Sequence, residues 1–198
     1  KSAINQAVEH NRRVVIEHFD LIFETLGYNA QIVFGRGEEV IVCRPTVFGP
    51  FPPAIKRVVE ETIGYRLMAH SAEDITVLVM QEFFNYEPPA LHSNVKHGFV
   101  LGFEKEPAFD LEWLESKVLD IIEQDLPIEQ VDENHIRVGK YIMYCTGTRT
   151  HVRSSGMIEN FRIRKQFEYD PIAKEYLLVG IVGREEIDGV DELVPLFD

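Results

Sequence analysis

Asp74-Ile75-Thr76-Val77-Leu78-Val79-Met80-Gln81-Glu82-Phe83-Phe84 is the stretch on which the fold turns. Ile75 to Met80 is almost continuously apolar. Such a run predicts a strand covered on both faces and therefore central in its sheet. Before it, Pro52-Pro53 open a predicted helix to about Tyr65, with Ile55, Val58, Val59 and Ile63 on one face. After it come a loop from Asn85 to Asn94, a strand from Gly98 to Phe103, and a helix from Pro107 to Asp125. That last helix buries Leu111, Trp113, Leu114, Val118, Ile121 and Ile122, with Asp110 or a neighbour as its cap.

Working outward, Ala30–Phe34 and Glu39–Cys43 read as two strands joined by a turn at Gly35-Arg36-Gly37-Glu38. Ile4, Val8, Asn11, Val15, Phe19, Ile22 and Leu26 predict one helix over 3–26, ended by Gly27. Ile136 to Cys145 reads as a strand bent or turned at Gly139. Phe161 to Tyr169 alternates cleanly as a strand, and Glu175 to Val182 is its return.

The expected fold is therefore α+β, an antiparallel or mixed sheet with helices 53–65 and 108–124 on one face. Residues 39–145 follow the β-α-β-β-α-β order of a ferredoxin-like core. Residues 1–38 add an N-terminal helix and strand, and 146–198 add a loop, a C-terminal hairpin and an acidic tail, all within one domain.

The 198 residues are 45% hydrophobic and 27% charged, with a net charge of -13. This composition excludes disordered, collagenous and membrane-spanning classes. The negative charge weighs against non-specific binding to nucleic acid or anionic membrane. Cys43 and Cys145 each sit in an apolar run and read as buried thiols of a reducing compartment. The polar, helical start from Lys1 carries no signal peptide, and the missing Met suggests a processed or trimmed start. The expected location is the cytoplasm, with a virion as the other setting.

The most unusual segment is 136–165. Arg137, Lys140, Arg149, Arg153, Arg162, Arg164 and Lys165 face one acid, Glu159, for a local charge of +6. Within it, Thr146-Gly-Thr-Arg-Thr-His-Val-Arg-Ser-Ser-Gly156 brings together glycines, hydroxyls, arginines and a histidine, as an anion site requires. Arg149, His151, Arg153, Ser154, Ser155, Arg162 and Arg164 are the ligand-binding candidates. The spacing matches no phosphate-loop motif, and a solvated basic loop is the plainer reading.

The seven histidines show no H-E-x-x-H or similar ligand spacing. His70-Ser71 and His92-Ser93 are read in loops, and Asp132, Glu133 and His135 as a turn, so no metal or cofactor is expected. Lys96 to Phe103 lacks the stacking aromatics of an RNA-binding strand, since Gly98 and Val100 stand where they are needed. The C-terminal segment is acidic, with Leu193, Leu196 and Phe197 as apolar anchors for a partner.

Without a catalytic motif, the expected function is a non-enzymatic interaction or assembly subunit, in a viral or other large complex. A protein partner or a homo-oligomer is expected, and no membrane. One alternative is a nucleotide- or RNA-binding protein or enzyme using 146–165. Another is an acidic mimic of nucleic acid.

Overall fold

The computed structural model describes residues 1–183 apart from 39, 87–91, 96, 146, 148 and 149, with 92–95 described through their backbone alone. The chain divides into two compact units, Lys1–Thr62 and Ile63–Asp198.

In the first unit the predicted helix over 3–26 is two helices, α1 (Ser2–Glu9) and α2 (Asp20–Leu26). Asn11 and His18 take left-handed backbone angles, φ 56° and 52°, which a helix does not tolerate. The intervening Val14 and Val15 are exposed, so their apolar spacing marks no buried face. Gly27 does end α2, with φ 79°. Strands β1 (Val33–Arg36) and β2 (Val40–Cys43) form an antiparallel ribbon. Gly35, expected in the turn, belongs to β1. Its bare backbone faces Ile55 and Val59 of α3 (Pro52–Phe84), where a Cβ would come within 2.7 Å and 3.0 Å of their methyl groups.

Helix α3 corrects the sequence reading most. It continues past Tyr65 to Phe84, so Asp74–Phe84 is helix and not a central strand. Ile75, Thr76, Val77, Leu78, Val79 and Met80 are all buried. A helix covered all round shows no amphipathic period, and a continuously apolar run of this kind is indistinguishable from a buried strand.

The second unit contains the rest of α3, β3 (His92–Val95), β4 (Gly98–Phe103), α4 (Leu111–Glu123), β5 (Ile128–Gln130), β6 (His135–Val138), β7 (Tyr141–Tyr144), a 3-10 turn at Ser155–Met157, β8 (Arg162–Ile163), β9 (Glu168–Asp170) and β10 (Glu175–Ile181). The described strands form an antiparallel sheet in the order β3-β4-β10-β8, with β9 also on β10, and a second sheet β5-β6-β7. The turn at Gly139 is a tight hairpin between β6 and β7, and the strand expected over 161–169 is broken into β8 and β9. The fold is thus α+β with antiparallel sheets. The strands of the expected β-α-β-β-α-β order lie in separate sheets, with β2 on β1, β4 on β10 and β6 on β7, where a ferredoxin-like core requires one.

One core cluster joins Met68, Ala72, Ile75 and Val79 of α3, Leu114, Val118 and Ile122 of α4, and Phe99, Leu101 and Phe103 of β4. Leu178, opposite Leu101, belongs to it, whereas Val179 and Ile181 on the other face of β10 form a small cluster with Leu177. Asp110 caps α4 by accepting from the backbone N–H of Glu112 and Trp113. Trp113, expected in the core, is 36% exposed because it lies beside the stripe made by Leu111, Leu114, Val118 and Ile122. Among the described residues no helix is long and apolar enough to cross a membrane.

Candidate metal centre

Because 70–84 is helical, His70 and Asp74 stand one turn apart on one face of α3. Cys145 follows β7 directly, and its backbone N–H donates to the Asn134 carbonyl at 2.8 Å. The chain then turns back over α3. Thr150 N–H donates to the Gly147 carbonyl at 2.9 Å, and Val152 N–H donates to the Ser71 hydroxyl at 3.0 Å. His151 lies between these two tethers and is thereby set against His70 and Asp74.

Among the described residues, His70, Asp74, Cys145 and His151 present one donor atom each, all within 4.8 Å of one another. His70 Nε2 is 3.3 Å from Cys145 Sγ and 3.5 Å from Asp74 Oδ2. His151 Nε2 is 2.8 Å from Asp74 Oδ2 and 3.8 Å from Cys145 Sγ. Around a tetrahedral zinc ion, ordinary bond lengths give edges of about 3.3 Å between nitrogen or oxygen donors and about 3.6 Å between nitrogen and sulfur. The four measured edges scatter around those values. Imidazole, thiolate and carboxylate together suit zinc better than calcium or magnesium, which take oxygen donors.

The surroundings orient the donors. Thr150 Oγ gives its hydrogen to the Gly147 carbonyl at 2.7 Å, so at 3.0 Å it accepts from His70 Nδ1. The His70 proton is then on Nδ1, and the Nε2 lone pair faces the cluster, as a metal-ligating histidine requires. Gly147 N–H donates to Cys145 Sγ at 3.3 Å. A Cβ at 147 would meet the His70 ring and displace it.

Burial works to raise the Asp74 carboxyl, but the neighbouring His151 and His70 rings outweigh it and hold the group at about 2. Burial, and then the charge of Asp74, push the Cys145 thiol up to about 12. In a buried site, a carboxylate and a thiolate together carry two negative charges, which one divalent cation cancels.

Of the ligand-binding candidates read from the sequence, only His151 is among the four donors. Arg149 lies outside the described residues. Arg153 is exposed, and its carbonyl accepts from Ile128 N–H at 2.9 Å. Ser154 bridges to Pro127. Ser155 is fully buried, its hydroxyl donating to the Ile121 carbonyl at 2.7 Å and accepting from Leu126 N–H at 2.9 Å, so it fastens the loop to α4. Arg162 is half-buried. Arg164 pairs with Glu168 at 2.6 Å, Lys165 with Glu112 at 3.1 Å and Arg137 with Glu129 at 3.5 Å. Much of the +6 segment is therefore balanced by neighbouring acids. Leu193, Leu196 and Phe197 lie outside the described residues.

Sequence reasoning missed His70, Asp74 and Cys145. The signal was the i,i+4 spacing of His70 and Asp74, meaningful only once 70–74 is read as helix. His70-Ser71, expected in a loop, sits within α3. Asp132 and His135, considered as metal ligands, form an exposed pair at 2.9 Å.

No protein-family model matches the chain. It is similar to part of a threonine–tRNA ligase from Carboxydothermus hydrogenoformans, 24% identical over 137 aligned residues. The similarity takes in 52% of this chain and 21% of the ligase, so the matched part is about a fifth of that enzyme.

Proposed function

We propose that this protein binds zinc through His70, Cys145, His151 and Asp74 and hydrolyses the ester that joins an amino acid to tRNA. The observation that carries the reading is the convergence of four donor atoms within 4.8 Å in a buried site. The substrate class follows from the likeness to part of an enzyme whose name couples threonine and tRNA. A matched part of about a fifth of that ligase suits a single step on the aminoacyl product better than the complete ligation.

Zinc in such a site supplies a Lewis acid and lowers the pKa of water toward neutrality. His70, Cys145 and His151 are the holding ligands, with His70 locked by Thr150. Asp74 would be the fourth holding residue and the one free to serve as a base. The Asp74 carboxylate would take a proton from the attacking water as the water oxygen bonds to the ester carbonyl carbon, and would return that proton to the departing tRNA oxygen as the ester carbon–oxygen bond breaks, giving a free amino acid and the tRNA hydroxyl.

The test is release of amino acid from threonyl-tRNA and other aminoacyl-tRNAs by zinc-loaded protein, beside Asp74→Asn and Cys145→Ala. Wild type is expected to act, Cys145→Ala to lose both zinc and activity, and Asp74→Asn to keep zinc while losing most activity. Bound zinc without hydrolysis of any aminoacyl-tRNA would leave the four-donor centre as a structural clamp on the 145–152 loop.

The reading of 146–165 as an RNA grip draws less support, because Arg164 and Lys165 are paired with acids. The assembly reading depends on the tail residues Leu193, Leu196 and Phe197, which lie outside the described residues.

A further inference from the structure

We infer that the outward face of the β1–β2 ribbon binds single-stranded RNA; the choice of RNA rests on the proposed function. The ribbon has two unlike faces. Val33 and Gly35 are buried, and the Gly35 backbone is pressed against Ile55 and Val59. The turn is tied down as well, with Glu38 N–H donating to the Thr62 hydroxyl at 3.1 Å. The other face is apolar, aromatic and basic. Phe34, 68% exposed, lies opposite Val42, and Arg36 lies opposite Val40. Arg44, also exposed, follows Cys43.

Phe34 therefore stands on a ribbon packed against α3, with Arg36 two residues along its own strand and Arg44 two residues beyond its cross-strand partner. An exposed aromatic ring offers a stacking surface to any base, and guanidinium groups on either side meet the phosphates. No described ion pair engages Arg36 or Arg44.

Charge distribution supports the same choice. Residues 1–62 contain 7 Lys and Arg against 8 Asp and Glu, a net of -1, leaving -12 of the total -13 to residues 63–198. A polyanion is repelled least by the first unit. An exposed apolar face alone would suit a second copy of the chain equally well; two arginines flanking the aromatic residue favour a polyanionic partner.

The test uses the full zinc-loaded chain and its Phe34→Ala, Phe34→Trp, Arg36→Gln and Arg44→Gln variants. Fluorescence anisotropy with unacylated tRNA and with a short single-stranded RNA is measured at two salt concentrations. Zinc content, thermal unfolding and sedimentation are recorded for each variant, so that loss of fold is not read as loss of binding. Phe34→Ala is expected to weaken both RNAs by about 5- to 100-fold, the worth of one base stack. Phe34→Trp is expected to retain binding. Each arginine variant should lower the salt slope by about 0.7–1. Equal RNA affinity in folded wild type and variants overturns the inference, as does a wild-type dimer that Phe34→Ala dissociates. Amino-acid release by wild type with ribbon-independent RNA binding sinks this inference alone. Ribbon-dependent RNA binding without any ester hydrolysis sinks the hydrolase reading alone.

Discussion

The Thr150 hydroxyl lies 3.0 Å from His70 Nδ1, 80 residues away in sequence, and spends its own hydrogen on the Gly147 carbonyl. This one contact decides the His70 tautomer and so presents Nε2 to the other three donors. Thr150→Val keeps the shape and removes the acceptor. It is expected to weaken zinc affinity by about 10- to 100-fold, the usual effect of losing a hydrogen-bond partner behind a metal-ligating histidine. Thr150→Ser should retain most of the affinity. Competition with a chromophoric chelator measures both.

Zinc should stabilise the fold, because the four donors come from α3 and from a loop tethered to it. With free zinc at about 1,000 times its dissociation constant, the gain is about 4 kcal/mol. Chelation is then expected to lower the melting temperature by roughly 8–16 °C for a chain of this size. The cobalt-substituted protein should show the absorption of a tetrahedral thiolate site, and Cys145→Ala should abolish its charge-transfer band. An unchanged melting temperature with and without chelator would count against a metal centre.

Gly147→Ala tests the packing behind the site. The added Cβ would meet the His70 ring and come within 2.9 Å of the Thr150 hydroxyl, so the imidazole must tilt away. Zinc affinity should fall by at least about tenfold while global stability falls by about 1–3 kcal/mol, as for other overpacked interiors. Chelator competition and urea titration on the same samples separate the two effects.

The faces of α4 can be tested through adjacent residues. Leu114 is fully buried, and its replacement by Ala should cost about 2–5 kcal/mol. Trp113 is 36% exposed and rests edge-on against Phe83 and Phe84, with ring centroids 5.3 and 5.2 Å away. Trp113→Ala should cost only about 1–2 kcal/mol, below the 3–5 kcal/mol that its sequence pattern suggests for a core position. Denaturant unfolding of both variants gives the comparison, and a larger loss at Trp113 would contradict this placement.

Legibility from sequence varied with the kind of signal. Helix α4 was readable because one face is apolar and the other polar, and its cap was readable because Asp110 precedes it. Gly27 and Gly139 were readable because their backbone angles, φ 79° and 57°, favour glycine. The 74–84 segment was misread because tertiary packing covers every side of it, which removes the polar stripe that would have announced a helix. The same error hid the site. With 74–84 taken as strand, His70 fell in a supposed loop and Asp74 at the start of the strand, so the two shared no face.

By itself the sequence determined the α+β class, a helix within 107–125, a two-stranded ribbon within 30–43 and the antiparallel return at β10, since each follows from local periodicity or turn chemistry. Tertiary structure alone decided that the apolar run at 75–80 is helix and that Cys145 and His151 meet His70 and Asp74. Metal ligation depends on distances of a few ångströms between side chains separated by 71–81 positions along the chain. Those distances are set by a loop that Ser71, Ser155 and Thr150 tie in place through hydrogen bonds to backbone and side chain. Such tethers have no period and no fixed spacing, so they exist only once the chain has folded.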